Sequence, residues 1–278
     1  MMTGWWCAEV ASRRWLGTLN AFPYYRSEQA MAKRSLARIF LTVIIVPCAL
    51  WVSLFSAWQA WTAADFGFRW LYGVVGIDAN INEFGPQNRF KKDFAQTTHE
   101  ERLRIFSVIA REINSGGQGL AEIQYHRPDG VVIDTFLRTP EVVHLRDVVR
   151  LLDMLRDVSY GSIVVLLIGV GLAWWLATGF PSVVWVWLTT VLLCGAGAFG
   201  IAGYGAEKLF YQWHTLVFPA GHQWFFYYQD SLMTTLMKAP TIFAYIAVLL
   251  LGTTLLFFAA LLWLTKRLLR EPLTNALK

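Results

Sequence analysis

The chain has 278 residues, of which 56% are hydrophobic and 15% charged, where a soluble domain carries about 25% charged residues. The deficit of charge excludes an ordinary soluble enzyme and points to a protein that lives in a bilayer. Its three cysteines, Cys7, Cys48 and Cys194, lie outside the charged central stretch, which excludes a disulfide framework and a thiolate metal site.

Residues 1–38 carry six Lys/Arg against two Glu and read as a cytoplasmic segment. Met31-Ala-Lys-Arg-Ser, just before the first apolar run, resembles a natural start, and no signal peptide with a small-residue cleavage site precedes it. A run of about 20 apolar residues crosses about 30 Å of hydrocarbon. Four runs meet that test, at 39–61, 158–178, 182–204 and 241–264. Pro47 is expected to kink the first, because it removes one ladder hydrogen bond.

Residues 62–157 form an expected extracytoplasmic α/β domain, nearly balanced in charge. Thr98-His-Glu-Glu101 has the spacing of a capping box, followed by apolar residues at Leu103, Phe106 and Ile109. Apolar stretches at 121–125 and 131–136 flank Arg127-Pro-Asp-Gly130, a turn sequence, and predict a β-hairpin. Thr139-Pro140-Glu141 then starts a helix, with Thr139 as the cap. On that helix Arg146, Arg150, Asp153 and Arg156 gather on one side and Val148, Leu151 and Leu155 on the other. His144 falls in the middle of the apolar side and Asp147 at its edge.

The third run ends in glycines, at Gly195, Gly197, Gly200, Gly203 and Gly205. Gly195-Ala-Gly-Ala-Phe-Gly200 matches a dinucleotide-binding pattern by letter, but no strand precedes it, so close helix packing is the expected reason. Residues 205–240 form an aromatic, nearly uncharged extracytoplasmic loop containing His214, His222, Trp224 and Asp230. Residues 265–278 are a basic tail. The excess of Lys/Arg at both ends puts both termini in the cytoplasm. The expected fold is therefore an α-helical integral membrane protein with four transmembrane helices and a small α/β extracytoplasmic domain between the first two.

Serine-elbow, zinc-protease and Walker patterns are all missing. No span carries an internal acidic or basic residue of the kind that marks an ion path, which disfavours a transporter. His99 and His126 read as surface residues. His144 and His214 stand out, each in an apolar segment just outside a span.

Glu141-Val-Val-His144-Leu-Arg-Asp147-Val148 resembles the His-x-x-Asp-Val motif of the bacterial lipoprotein intramolecular transacylases. Trp213-His214-Thr-Leu-Val-Phe218, with Trp224 and Asp230, is similar to that family's second motif, and the order of spans agrees. The resemblance runs over roughly residues 35–265 and leaves residues 1–30 outside it. It implies an enzyme of the bacterial cytoplasmic (inner) membrane with its site on the extracytoplasmic side. That enzyme moves the sn-2 acyl chain of a diacylglyceryl-modified lipoprotein onto the α-amine of its N-terminal cysteine, giving a lyso-form lipoprotein. The two catalytic histidines of the family correspond to His144 and His214. Asp147 and Asp230 would orient them, and Trp224 would contact substrate. The expected partners are diacylglyceryl lipoproteins and membrane lipid, with no nucleic acid, metal or cofactor. The alternatives are a non-enzymatic membrane-anchored sensor or assembly protein, and a histidine-dependent membrane lipid hydrolase.

Overall fold

A computed structural model of the protein describes residues 6–179 and 183–269. Among the described residues three helices are long and apolar enough to cross a membrane: the Met31–Ala63 part of α1 (Trp6–Ala63), α5 (Thr139–Trp175) and α9 (Thr241–Leu268). The fourth expected span is also helical, as α6 (Val183–Tyr204). The tip of the link at 180–182 and the tail from 270 onward lie outside the described residues, as do the side chains of the 1–30 segment.

The chain divides into two compact units, and the boundary in α1 falls between Pro47 and Cys48. Of the described residues, one unit holds 6–47, 165–179, 183–191 and 263–269. In it α1 runs on into Pro47 without interruption. The other unit, residues 48–164 and 192–262, contains the outer domain and every candidate site residue.

α5 is one helix of 37 residues, about 55 Å at 1.5 Å per residue, well beyond the thickness of the hydrocarbon. Its last charged residue is Asp157, so only the stretch from Val158 onward has the composition of a span. The first turns, bearing His144, belong to the outer domain. Val142, Leu145 and Val149 are buried there in a core with Phe68, Phe94, Phe106 and Tyr125.

Between α1 and α5 the chain builds α2 (Phe68–Val75), α3 (Ile77–Phe84), α4 (His99–Asn114), and the two-stranded antiparallel pair β1 (Gln124–His126) and β2 (Val132–Thr135). Gly67 (φ 68°) and Gly76 (φ 70°) separate the short helices in left-handed backbone that only glycine enters freely. Arg102 of α4 is buried and donates to the Tyr72 hydroxyl (3.0 Å), Asp78 (2.5 Å) and the Ala95 carbonyl (2.9 Å), tying α4 to α2 and α3. The Thr98 hydroxyl caps α4 by accepting from the Glu101 N–H at 3.1 Å. Glu101 does not complete the box, because its carboxylate is taken by Arg104 and His126. The hairpin turn closes through Gly130 N–H to the Arg127 carbonyl (2.9 Å). Three indoles of α1 also bind this unit: Trp51 donates to Ser159 (3.0 Å), Trp58 to Asn114 (2.9 Å) and Trp61 to Thr253 (3.0 Å).

Two expectations are corrected. The segment 205–240 is not a loop throughout: Gly205 (φ 80°) starts a second helix, α7 (Ala206–Val217), and α8 (Leu232–Met237) follows the aromatic stretch. Nor, among the described residues, is close packing seen at the glycines of α6. A Cβ at Gly195, Gly197, Gly200 or Gly203 would meet nothing within 4 Å among the described residues.

Candidate active site

α5 carries Glu141, His144 and Asp147 at i, i+3 and i+6, so all three point to one side. The returning segment from α7 to α8 lies along that side. At one end the Ser231 hydroxyl donates to the Glu141 carboxylate, whose other oxygen accepts from the Arg138 N–H at 2.6 Å. Glu141 is fully buried, and burial raises its carboxyl above the usual carboxylate range. The Arg138 contact also moves the helix start. Glu141 returns to the residue before Thr139, so Arg138 is the cap and Pro140 sits in the second helical position.

At the other end Asp147, itself buried, accepts from His222 Nδ1 at 2.6 Å and from Arg150 at 2.9 Å. A carboxylate at neutral pH only accepts, so Nδ1 of His222 carries the proton and its Nε2 is left free. The hydrogen bonds of Asp147 thus go to His222 and Arg150, and its influence on His144 is electrostatic.

His144 lies between these two ties, against Phe218 (5.0 Å between ring centroids) and Phe226 (6.1 Å). His214, on α7, packs on the same Phe218 ring at 5.3 Å, with Phe210 at 3.9 Å and Trp224 at 4.7 Å. The two histidines therefore share one phenyl ring. Nδ1 of His214 donates to the Phe210 carbonyl at 2.8 Å. A carbonyl oxygen only accepts, so the tautomer is fixed with a lone pair on Nε2. Among the described residues none hydrogen-bonds the His144 ring.

Both imidazoles are held neutral. Burial, reinforced by the nearby His214, lowers His144 to about 4 against the opposing pull of Asp147. Burial also lowers His214, opposed by its bond to Phe210. Low-dielectric surroundings disfavour the charged ring in each case.

Trp224 forms part of the wall around His214 and also meets Tyr211 at 5.0 Å. Asp230 lies at the far end of the segment, where it pairs with Arg89 of the outer domain at 2.5 Å without hydrogen-bond alignment; the Arg89 N–H donates to the neighbouring Gln229 carbonyl at 2.8 Å. Sequence reasoning left His222 out. Its partner is 75 residues away in the chain, and only the i+3 step from His144 to Asp147 gave a local hint. No group of His, Cys, Asp or Glu able to hold a metal ion occurs among the described residues.

No family model matches the sequence, and no curated protein matches it at a significant level. Solved structures do match. Two histidine variants of the membrane integral lipoprotein intramolecular transacylase Lit from Bacillus cereus superpose with TM-scores of 0.58 and 0.56, at 16% and 17% identity. The alignments cover 92% and 91% of this chain and 99% and 97% of theirs. A further Lit structure gives a TM-score of 0.56 at 18% identity, over 86% of this chain and 97% of that one. The chain has the fold of Lit. At this identity the likeness to Lit is one of architecture, and the chemistry must be argued from the side chains.

Proposed function

We propose that the protein is a membrane transacylase that moves the sn-2 acyl chain of a diacylglyceryl-modified lipoprotein onto the α-amine of its N-terminal cysteine. The observation that carries the reading is the pair of neutral histidines that pack on the one ring of Phe218, in a chain with the fold of a lipoprotein transacylase.

The reaction needs no protein nucleophile, because amine and ester belong to one lipidated cysteine. Holding them in attack geometry can remove about 7–11 kcal/mol of barrier. His214 is suited to be the base: its Nε2 lone pair is the free position once Nδ1 is engaged by Phe210. His144, kept neutral by burial, is suited to donate its N–H to the oxygen that gains charge as the amine attacks the ester. The proton that His214 takes from the attacking nitrogen then goes to the departing glycerol oxygen, regenerating both neutral rings.

In this reading α6 is the remaining span, both termini are cytoplasmic, and the site faces the extracytoplasmic side of a bacterial inner membrane. Asp230 and Arg89 anchor the aromatic segment to the outer domain, and Trp224 lines the acyl-chain side of His214. The test is mass spectrometry of a synthetic diacylglyceryl lipopeptide incubated with the purified protein. Conversion to the N-acyl lyso form, of unchanged mass but altered fragmentation, supports the reading. Release of free fatty acid would make the protein a hydrolase, and an unaltered lipopeptide would leave it a non-enzymatic membrane protein.

A further inference from the structure

Resting on that reading, we propose that His222, oriented by Asp147, is a third functional histidine, which takes the first proton from the arriving substrate's ammonium and releases it to water.

The proton balance requires such an exit. A free α-amino group has a reference pKa of about 7.7–8.0, so at neutral pH the substrate arrives mainly as an ammonium ion. Ammonium plus ester gives amide plus alcohol and one surplus proton. The proton lost by nitrogen during attack returns to the glycerol oxygen by way of His214. The earlier proton, which must leave before nitrogen has a lone pair, has no place in that cycle. His144 is a poor carrier for it, since burial disfavours its charged form, and His214 is occupied by the proton of the attack step.

His222 has the features the task needs. It lies in the stretch between Phe218 and Trp224, both of which pack on His214. Its side chain is 37% exposed, whereas that of Asp147 is 3% exposed. The carboxylate holds Nδ1–H and turns the ring so that Nε2 is the exchanging atom. This is the arrangement of a histidine oriented by a buried acid. Among the described residues the charged groups bonded to it are Asp147 and, through that carboxylate, Arg150, both on α5. On its own segment the ionisable neighbours are Tyr227 and Tyr228, and the Asp230 carboxylate is paired with Arg89. The step moves one proton from the ammonium nitrogen to Nε2 and from Nε2 to water, and no other bond changes.

The experiment measures transacylation by His222→Ala and His222→Gln against pH, with and without added imidazole, alongside thermal unfolding of each variant. Gln keeps an N–H donor for Asp147 but cannot carry a proton. Both variants should run ~10-fold slower below the ammonium pKa and approach wild-type rate above about pH 8, where the amine is already free. Added imidazole should restore the rate of the alanine variant at low pH. A glutamine variant with wild-type rate, or a loss equal at every pH, would make His222 a structural clasp and overturn the proposal. Should the wild-type protein form no N-acyl lyso product at all, the transacylase reading fails and this inference falls with it.

Discussion

The Ser231 hydroxyl donates to the buried carboxylate of Glu141 and at the same time accepts from the Thr234 N–H (2.9 Å), so one side chain caps α8 and ties it to α5. Removing either partner strands buried groups, at about 1–3 kcal/mol for each donor or acceptor left unsatisfied. Glu141→Ala leaves the Ser231 hydroxyl and the Arg138 N–H without it, and should lower the thermal midpoint in detergent clearly. Glu141→Gln should cost less, because an amide oxygen still accepts one of the two bonds. Equal midpoints for the wild-type and alanine proteins would show that the tie adds nothing to stability.

The histidine pair makes the sharpest kinetic demand. Proton transfer by a positioned side chain contributes about 10²–10⁴-fold, so His144→Ala and His214→Ala should each slow lipopeptide conversion by that order. Groups that act as a unit are non-additive, and the double variant should be little slower than the poorer single one. A single variant that folds and keeps the wild-type rate assigns its histidine to packing.

Phe218 is buried and in contact with both rings. Phe218→Ala opens a cavity worth about 3–5 kcal/mol and removes the ring that both imidazoles pack on, so rate and stability should fall together. Phe218→Leu fills most of the volume and should recover more stability than rate, since a branched aliphatic group gives the rings no flat face. The comparison of the two variants is read from thermal unfolding and conversion assays on the same preparations.

The neutral state of His144 should also be visible as pH-dependent stability. Its folded-state pKa of about 4 lies below the ordinary value of 6.5, so the unfolded chain takes up the proton first. Its contribution to stability is complete above about pH 6.5 and drains away as pH falls toward 4. Thermal midpoints at about pH 7.5 and 5 should therefore differ more for the wild-type protein than for His144→Gln, which has no such group to titrate. Parallel shifts in both proteins would mean that His144 is not desolvated.

Topology supplies a separate check. Residues 129 and 130 form the exposed tip of the hairpin. A tag inserted there should be reached by a membrane-impermeant label in intact spheroplasts, while a tag after residue 278 should need permeabilised membrane. The reverse labelling would invert the orientation.

The apolar runs announced the long helices because uninterrupted hydrophobicity over 20 residues has few other uses. Thr98 and the Arg127–Gly130 turn were legible for a similar reason, since each is a local device whose partner lies within a few residues. His144 was singled out by being a titratable ring on an apolar helix face. The short α2 and α3 were not foreseen: eight residues each give barely two turns of periodicity, and the left-handed glycines that delimit them read equally well as loop. The helix that carries His214 was not foreseen because its twelve residues run straight into an aromatic stretch with no helical pattern, and Gly205 before them reads as loop. The His222–Asp147 contact was beyond reach, as it depends on how the returning segment is laid along α5.

The three α1 indoles bear on how the molecule sits in lipid. Tryptophans near a membrane surface ordinarily direct their N–H groups to headgroups and so fix a protein's depth. Here Trp51, Trp58 and Trp61 direct theirs to Ser159, Asn114 and Thr253. These rings bind protein to protein and hold no grip on the headgroup layer. Depth is then left to outward-facing residues such as Trp174, Trp175 and Trp263. The three inner bonds, and the unit they brace around the histidines, therefore owe nothing to the headgroup layer.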